Sequence, residues 1–152
     1  MKLWLMGFVF IVAMVGVGIT VAFQTGERSK VFASGNVVLE SEFEKNAKGM
    51  GTLYLVIFDE NSPMPMPFGA VRFRLDQDAT KGAFFRYAIT KEKIQLMPGS
   101  QEGYQPSKMR IKARLDKDGF AGPDKSGDIV GEVSGIPFGS TGVDIHLKKA
   151  IP

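Results

Sequence analysis

The chain has 152 residues, with 19 Lys and Arg set against 16 Asp and Glu for a formal charge of +3. That length holds one domain of ordinary size. With no cysteine present, disulfides, thiolate nucleophiles, Cys-ligated zinc and covalent haem attachment through C-x-x-C-H are excluded. The mild basic balance contains no dense basic run of the kind a nucleic-acid binder shows, so no nucleic-acid partner is expected.

In chain order, the first element is apolar. Leu3 to Phe23 carries no charge, and its only polar side chain is Thr20. At about 1.5 Å per helical residue, a run of roughly twenty residues spans the ~30 Å hydrocarbon core of a bilayer. The rival reading is a cleaved secretory signal with Thr20-Val21-Ala22 as its small-x-small site. The run exceeds the roughly 7–15 residues of a signal core, which favours a retained transmembrane anchor over residues 1–23. Either reading delivers everything beyond Gln24 to the far side of the cytoplasmic membrane. Residues 24–34 are polar and aperiodic and read as a tether, leaving residues 35–152 for the folded domain.

Within that domain a first strand is expected around Asn36–Glu40, followed by an ambiguous acidic stretch to Lys45 that suits a short helix or an edge strand. TLYLVIF, residues 52–58, is continuously apolar and β-branched, the pattern of a strand buried on both faces. SPMPMPFG, residues 62–69, has prolines at alternate positions, which fix φ and withhold amide donors. This segment is extended and cannot be a central strand. Val71, Phe73 and Leu75 then alternate with polar neighbours, and Ala83–Thr90 and Lys93–Met97 supply further strands. Met109, Ile111, Ala113 and Leu115 alternate with Lys108, Arg110, Lys112 and Arg114, so this strand turns one face to a core and a basic face to water. A long polar connection leads to a partner strand at Asp128–Val133, then a loop over Gly135–Gly142, and Val143, Ile145 and Leu147 mark the last strand. Seven or eight short strands with frequent turns and no long helix predict an all-β fold, an antiparallel β-sandwich, behind one N-terminal transmembrane helix.

Few residues suggest chemistry. His146 is the only histidine and lies on the polar side of the last strand, without an identifiable partner for base catalysis or metal binding. Met64 and Met66 are too few thioethers for a copper site and read as packing or contact residues. Asp116, Asp118, Asp124 and Asp128 lack the spacing and the terminal glutamate of a calcium loop and read as a turn. No catalytic residue, metal ligand or cofactor is therefore expected. The candidate contact surfaces for a partner are the basic strand face, Lys108, Arg110, Lys112 and Arg114, and the Pro/Met loop with Met64, Met66 and Phe68.

The order of these motifs resembles a known family. The strand Leu53–Phe58, PMPFGAVR at 65–72, LMPG at 96–99, KARLDKDG at 112–119, GDIVGEV at 127–133 and a closing strand follow one another between Gly51 and Ile151. This succession resembles the C-terminal periplasmic domain of the cytochrome c-type biogenesis protein CcmI (CycH) family, with Pro65–Val71, Ala113–Gly119 and Pro123–Glu132 as the counterparts of its recurring motifs. The resemblance implies a non-enzymatic, membrane-anchored periplasmic chaperone that holds haem-free cytochrome c for the haem-ligation machinery. Family members carry a second transmembrane helix and a tetratricopeptide-repeat region ahead of this domain. The present sequence has neither, which implies a split or accessory version. The alternative expectation is a single-pass accessory subunit of a membrane respiratory complex that contains a cytochrome.

Overall fold

The computed structural model describes residues 31–64 and 66–152. The expected anchor at 1–23 and most of the tether lie outside them. Among the described residues no helix is long and apolar enough to cross a membrane. Nine strands follow in chain order: β1 (Val31–Leu39), β2 (Thr52–Asp59), β3 (Pro67–Arg74), β4 (Gly82–Thr90), β5 (Gln95–Leu96), β6 (Lys108–Asp116), β7 (Ile129–Pro137), β8 (Ile145–Leu147) and β9 (Lys149–Ala150). The ambiguous acidic stretch resolves as a single 3-10 turn, Ser41–Phe43.

The expected all-β class is observed, with the strands divided between two sheets. One has the order β5-β3-β2-β6-β7-β9 and is antiparallel throughout; the other has the order β4-β1-β8. In the smaller sheet β8 runs parallel to β1, pairing Val37 with Ile145 and Leu39 with Leu147, so the antiparallel rule expected from the sequence fails at one ladder. The chain between β1 and β8 passes through β2 to β7, which include five of the six strands of the larger sheet, and a pairing that distant leaves no local signal.

A single core joins the two sheets. Leu53, Leu55 and Ile57 of β2, Ile111, Ala113 and Leu115 of β6, and Ile129 of β7 face Val37 and Leu39 of β1, Tyr87 and Ile89 of β4, and Ile145 and Leu147 of β8. The period-two alternation read in β6 and in the last strand is therefore the pleat of strands with one face on this core. Tyr87 is buried at the margin, where its hydroxyl donates to the Val143 carbonyl at 2.8 Å and burial pushes its ionisation up.

Three boundaries differ from expectation. β1 begins at Val31, inside the segment read as tether, because Phe32 and Ala33 are buried in the core and not exposed on a linker. β3 begins at Pro67, which occupies the first position of the strand, where a missing amide donor is tolerated. The last strand is broken in two. After β8 the Lys148 amide donates to the Val130 carbonyl at 3.1 Å, and β9 crosses to the edge of the larger sheet. The same crossing brings the chain hard against β7 at Gly131, where a glycine leaves room for the His146 carbonyl.

Candidate functional site

The larger sheet has one face on the core and one face outward, and the outward face carries the site. Strand register sets its side chains in rows. Arg72, Tyr54, Arg114 and Val130 lie across β3, β2, β6 and β7, and beside them runs the row Ala70, Val56, Lys112 and Glu132. Phe58 stands opposite Arg110 in a third row. Because each outward aromatic of β2 pairs in register with an arginine of β6, cation and ring stack. The Arg110 guanidinium lies 4.1 Å from the Phe58 ring centre and that of Arg114 lies 4.8 Å from Tyr54.

The long connection between β6 and β7 folds back over this face and is tied down by the sheet's own residues. The Arg114 guanidinium donates to the carbonyls of Gly122 and Phe120, the Tyr54 hydroxyl donates to the Gly119 carbonyl at 3.0 Å, and Lys112 pairs with Asp124. At the base of the loop the Asp116 carboxylate accepts the amides of Asp118 and Gly119, and Asp128 accepts those of Lys117 and Lys125. Gly119 turns with a φ of +76°, a conformation that L side chains rarely adopt, which is why the turn needs glycine there.

Arg114 is the pivot of this arrangement. It is 5% exposed, and it lies 3.2 Å from Asp116, 3.7 Å from Asp124 and 3.9 Å from Asp128. Asp116 and Asp128 are each 1% exposed. Burial pushes the Asp116 carboxyl above its ordinary value of 3.8, against the opposing pull of the Gly119 amide and of Arg114. The outer pair of the loop is different. Asp118 bonds Lys125 at 2.7 Å and accepts the Phe120 amide at 3.0 Å, and these contacts hold its carboxyl down at about 2. An amide titration checks this directly. The Phe120 amide resonance is expected to stay constant as the pH falls through 3.8, where a free aspartate would titrate, and to move only towards about 2. A midpoint near 3.8 would show that Lys125 does not hold the carboxylate.

Between the sheet face and the folded loop lies a groove of about 860 Å³. Its floor is Tyr54, Val56, Phe58 and Ala70; Pro67 and Met97 close one end, and Phe120 stands on the rim with 70% of its surface exposed. Arg72, Lys112 and Arg114 form the cationic part of the wall. Lys112 is paired with Asp124 and Arg114 with Asp116, Asp124 and Asp128, whereas Arg72 has no carboxylate partner among the described residues. With the β6 wall included, the groove lies across three strands, about 10 Å at ordinary strand spacing, which is the width of an extended chain or of one helix. An apolar floor with a cationic wall can hold an apolar segment that carries acidic neighbours. Among the described residues no group of three or more His, Asp or Glu side chains is placed to hold a metal ion.

Compared with protein-family models, curated proteins and solved structures, this chain finds no match. The site must be read from its own geometry.

The residues singled out in the sequence are distributed as follows. Lys108 is exposed and lies 3.6 Å from Glu60, and Arg110 is half-buried with Glu132 at 3.0 Å. Lys112 is half-buried, and Arg114 is buried. The four therefore share one face as expected, but that face is not a free basic surface, because each cation already has a carboxylate. The Pro/Met loop borders a second, smaller hollow of about 480 Å³ with Tyr104 and Pro98. Met64 and Met66 are 60% and 53% exposed, while Phe68 is buried with its ring against Phe32 and Tyr104. Tyr104 donates to Asp59 at 2.8 Å, which raises its ionisation. His146 is exposed, with Nδ1 2.9 Å from a Glu40 carboxylate oxygen.

Arg72, which the alternation of its strand allows to join the basic face, does stand in the row with Tyr54 and Arg114, whereas sequence reasoning missed Tyr54, Val56, Phe58, Ala70 and Phe120. A signal existed in TLYLVIF. Its outward residues are as apolar as its inward ones, and an apolar outer face with no second layer to cover it marks a binding floor.

Proposed function

We propose that this protein is a membrane-anchored, extracytoplasmic β-sandwich module without enzymatic activity that binds a polypeptide segment in the outer-face groove. By its resemblance to the CcmI (CycH) C-terminal domain, the client is haem-free cytochrome c, held extended or partly helical for the haem-ligation machinery. One observation carries the reading: the groove over β3, β2 and β6 has an apolar floor the width of a single chain, with the uncompensated Arg72 at its side. The residues counted as motifs in the sequence lie around it. PMPFGAVR supplies Pro67, Ala70 and Arg72, and KARLDKDG supplies Lys112, Arg114 and Gly119. The length and apolarity of Leu3 to Phe23 in the sequence support a position at the cytoplasmic membrane, with the domain on its outer side.

The test is binding of haem-free and haem-bearing cytochrome c to the full chain in gentle detergent, with the substitutions Val56→Asp and Arg72→Glu. Selective binding of the haem-free form is expected, and Val56→Asp is expected to weaken it at least about tenfold, or about 1.4 kcal/mol, by placing a charge in the floor. Arg72→Glu is expected to act in the same direction. Equal affinity for both forms, or indifference to Val56→Asp, would overturn the proposal. Co-purification of haem-bearing respiratory subunits in fixed proportion would replace it with an accessory-subunit role.

A further inference from the structure

Among the described residues one long strand edge is open, on the sheet opposite the groove. β4 is nine residues long and pairs only with β1; among the described residues no strand lies along its other side. Among the described residues its backbone from Gly82 to Ile89 forms no main-chain bond outside the β1 ladder, and the Thr90 carbonyl accepts the amides of Lys93 and Ile94. Folded proteins blunt their sheet edges by keeping them short, by bulges, by placing proline or charged side chains in them, or by covering them. The other three outermost strands are short, since β5 and β9 have two residues each and β8 has three. β4 is long and has no proline; what guards it is charge and a register shift towards each end. Between those shifts Phe85–Ile89 runs regularly, with alternate amides and carbonyls directed outward, so there the edge is closed to unselected partners by charge alone.

Charge selects what can pair there. The stretch 81–91 contains Lys81, Arg86 and Lys91 and no acidic residue. None of the three has an ion-pair partner among the described residues. A second copy fits badly. Full antiparallel overlap of two β4 strands sets Arg86 opposite Arg86, with Cβ atoms about 5 Å apart, and brings the flanking Lys81 and Lys91 of the two copies towards each other at both ends; like charges so placed destabilise the pairing. The same three cations attract an extended segment that carries carboxylates in those positions. We infer that the β4 edge is a strand-addition site for an extended, proline-free acidic segment of another protein. Main-chain bonds to Phe85–Ile89 supply the affinity, and Arg86, Lys81 and Lys91 supply the choice of partner. This surface is separate from the groove and does not depend on the client assigned to it.

The test uses the full chain in detergent and three synthetic peptides as long as β4 and its two flanking lysines. All alternate threonine and valine. The first carries glutamates opposite Lys81, Arg86 and Lys91, the second carries lysines there, and the third is the first with N-methyl groups on the amides that face β4. The acidic peptide is expected to slow hydrogen exchange of the outward amides in Phe85–Ile89 and to bind about tenfold more tightly than the lysine peptide, through one cross-strand ion pair at Arg86 and the attraction of the flanking Lys81 and Lys91. Arg86→Glu is expected to narrow or reverse that preference, and Val56→Asp, which acts on the groove, to leave it unchanged. Absence of binding would overturn the inference. So would equal binding of the N-methylated peptide, which would reduce the contact to bulk electrostatics. Loss of acidic-peptide binding in Val56→Asp would also overturn it, by assigning the contact to the groove.

Discussion

Replacing Arg114 by leucine is expected to cost about 3–5 kcal/mol of stability at neutral pH, the usual penalty when one partner of a buried ion pair is removed. The reason is what remains. Asp116 and Asp128 are 1% exposed, and without the guanidinium between them they keep only backbone amides and the more distant, exposed Lys125 ammonium. The arginine's own net contribution is far smaller than this loss, because taking the cation out of water offsets much of its attraction to the carboxylates. Arg114→Lys keeps the charge but loses the planar fork that reaches Gly122 and Phe120 while lying on Tyr54, so it is expected to fall between the two. Urea unfolding of the three proteins checks the order.

The pH dependence of that loss has a definite sign. Burial already raises the folded-state ionisation of Asp116 above 3.8, and removing Arg114 raises it further. A group raised in this way favours the folded state fully below its unfolded value and loses that contribution as pH rises through the folded value. The penalty in Arg114→Leu is therefore expected to be largest at neutral pH and to shrink as the pH is brought down towards 3.8, where Asp116 is protonated. A penalty that stays constant down to that pH would show that the carboxylates are not its source.

Replacing Gly131 by alanine is expected to cost about 3 kcal/mol, and by valine more, through a wholly different mechanism. A Cβ added at Gly131 would lie 1.8 Å from the His146 carbonyl oxygen and 3.1 Å from the Leu147 amide nitrogen. Both are backbone atoms of β8 and its neighbourhood, so no side chain can swing aside, and the smaller sheet must lift off the larger one. Overpacking of this kind costs about 1–3 kcal/mol where the surroundings relax, and more where a backbone blocks them. A fall in melting temperature of about 10 °C is expected. Gly51→Ala is the control. Nothing lies within 4 Å of its added carbon and its φ is not in the left-handed region, so a change within about 0.5 kcal/mol is expected. Equal behaviour of the two variants would show that the crossing of β8 over β7 is not tight.

These two positions mark the limits of what a sequence displays. The alternation of Met109, Ile111, Ala113 and Leu115 was legible because a strand with one buried face repeats every two residues, and the inward residues of β6 are indeed in the core. Arg114 belongs to the same alternation and points outward as expected, yet it is buried. What buries it is the loop at 119–124, returning across the sheet in a direction no periodicity encodes. In the same way Gly131 looks like any glycine within a strand, and only the crossing of β8 makes it indispensable.

By itself the sequence determined that the region beyond the tether is a β-fold without cysteine chemistry, that β2 is central and apolar, and that β6 carries its cations on one side. Those properties follow from composition and local period, which each strand carries within itself. Only the tertiary structure decided that β8 pairs parallel with β1, that the basic row is neutralised by Glu60, Glu132 and the carboxylates of the β6–β7 connection, that Tyr54, Val56 and Phe58 form the floor of a groove, and that among the described residues no strand covers the outer edge of β4. Each of those depends on which distant segments meet, and that is set by packing around the shared core, which no single stretch of the chain specifies alone.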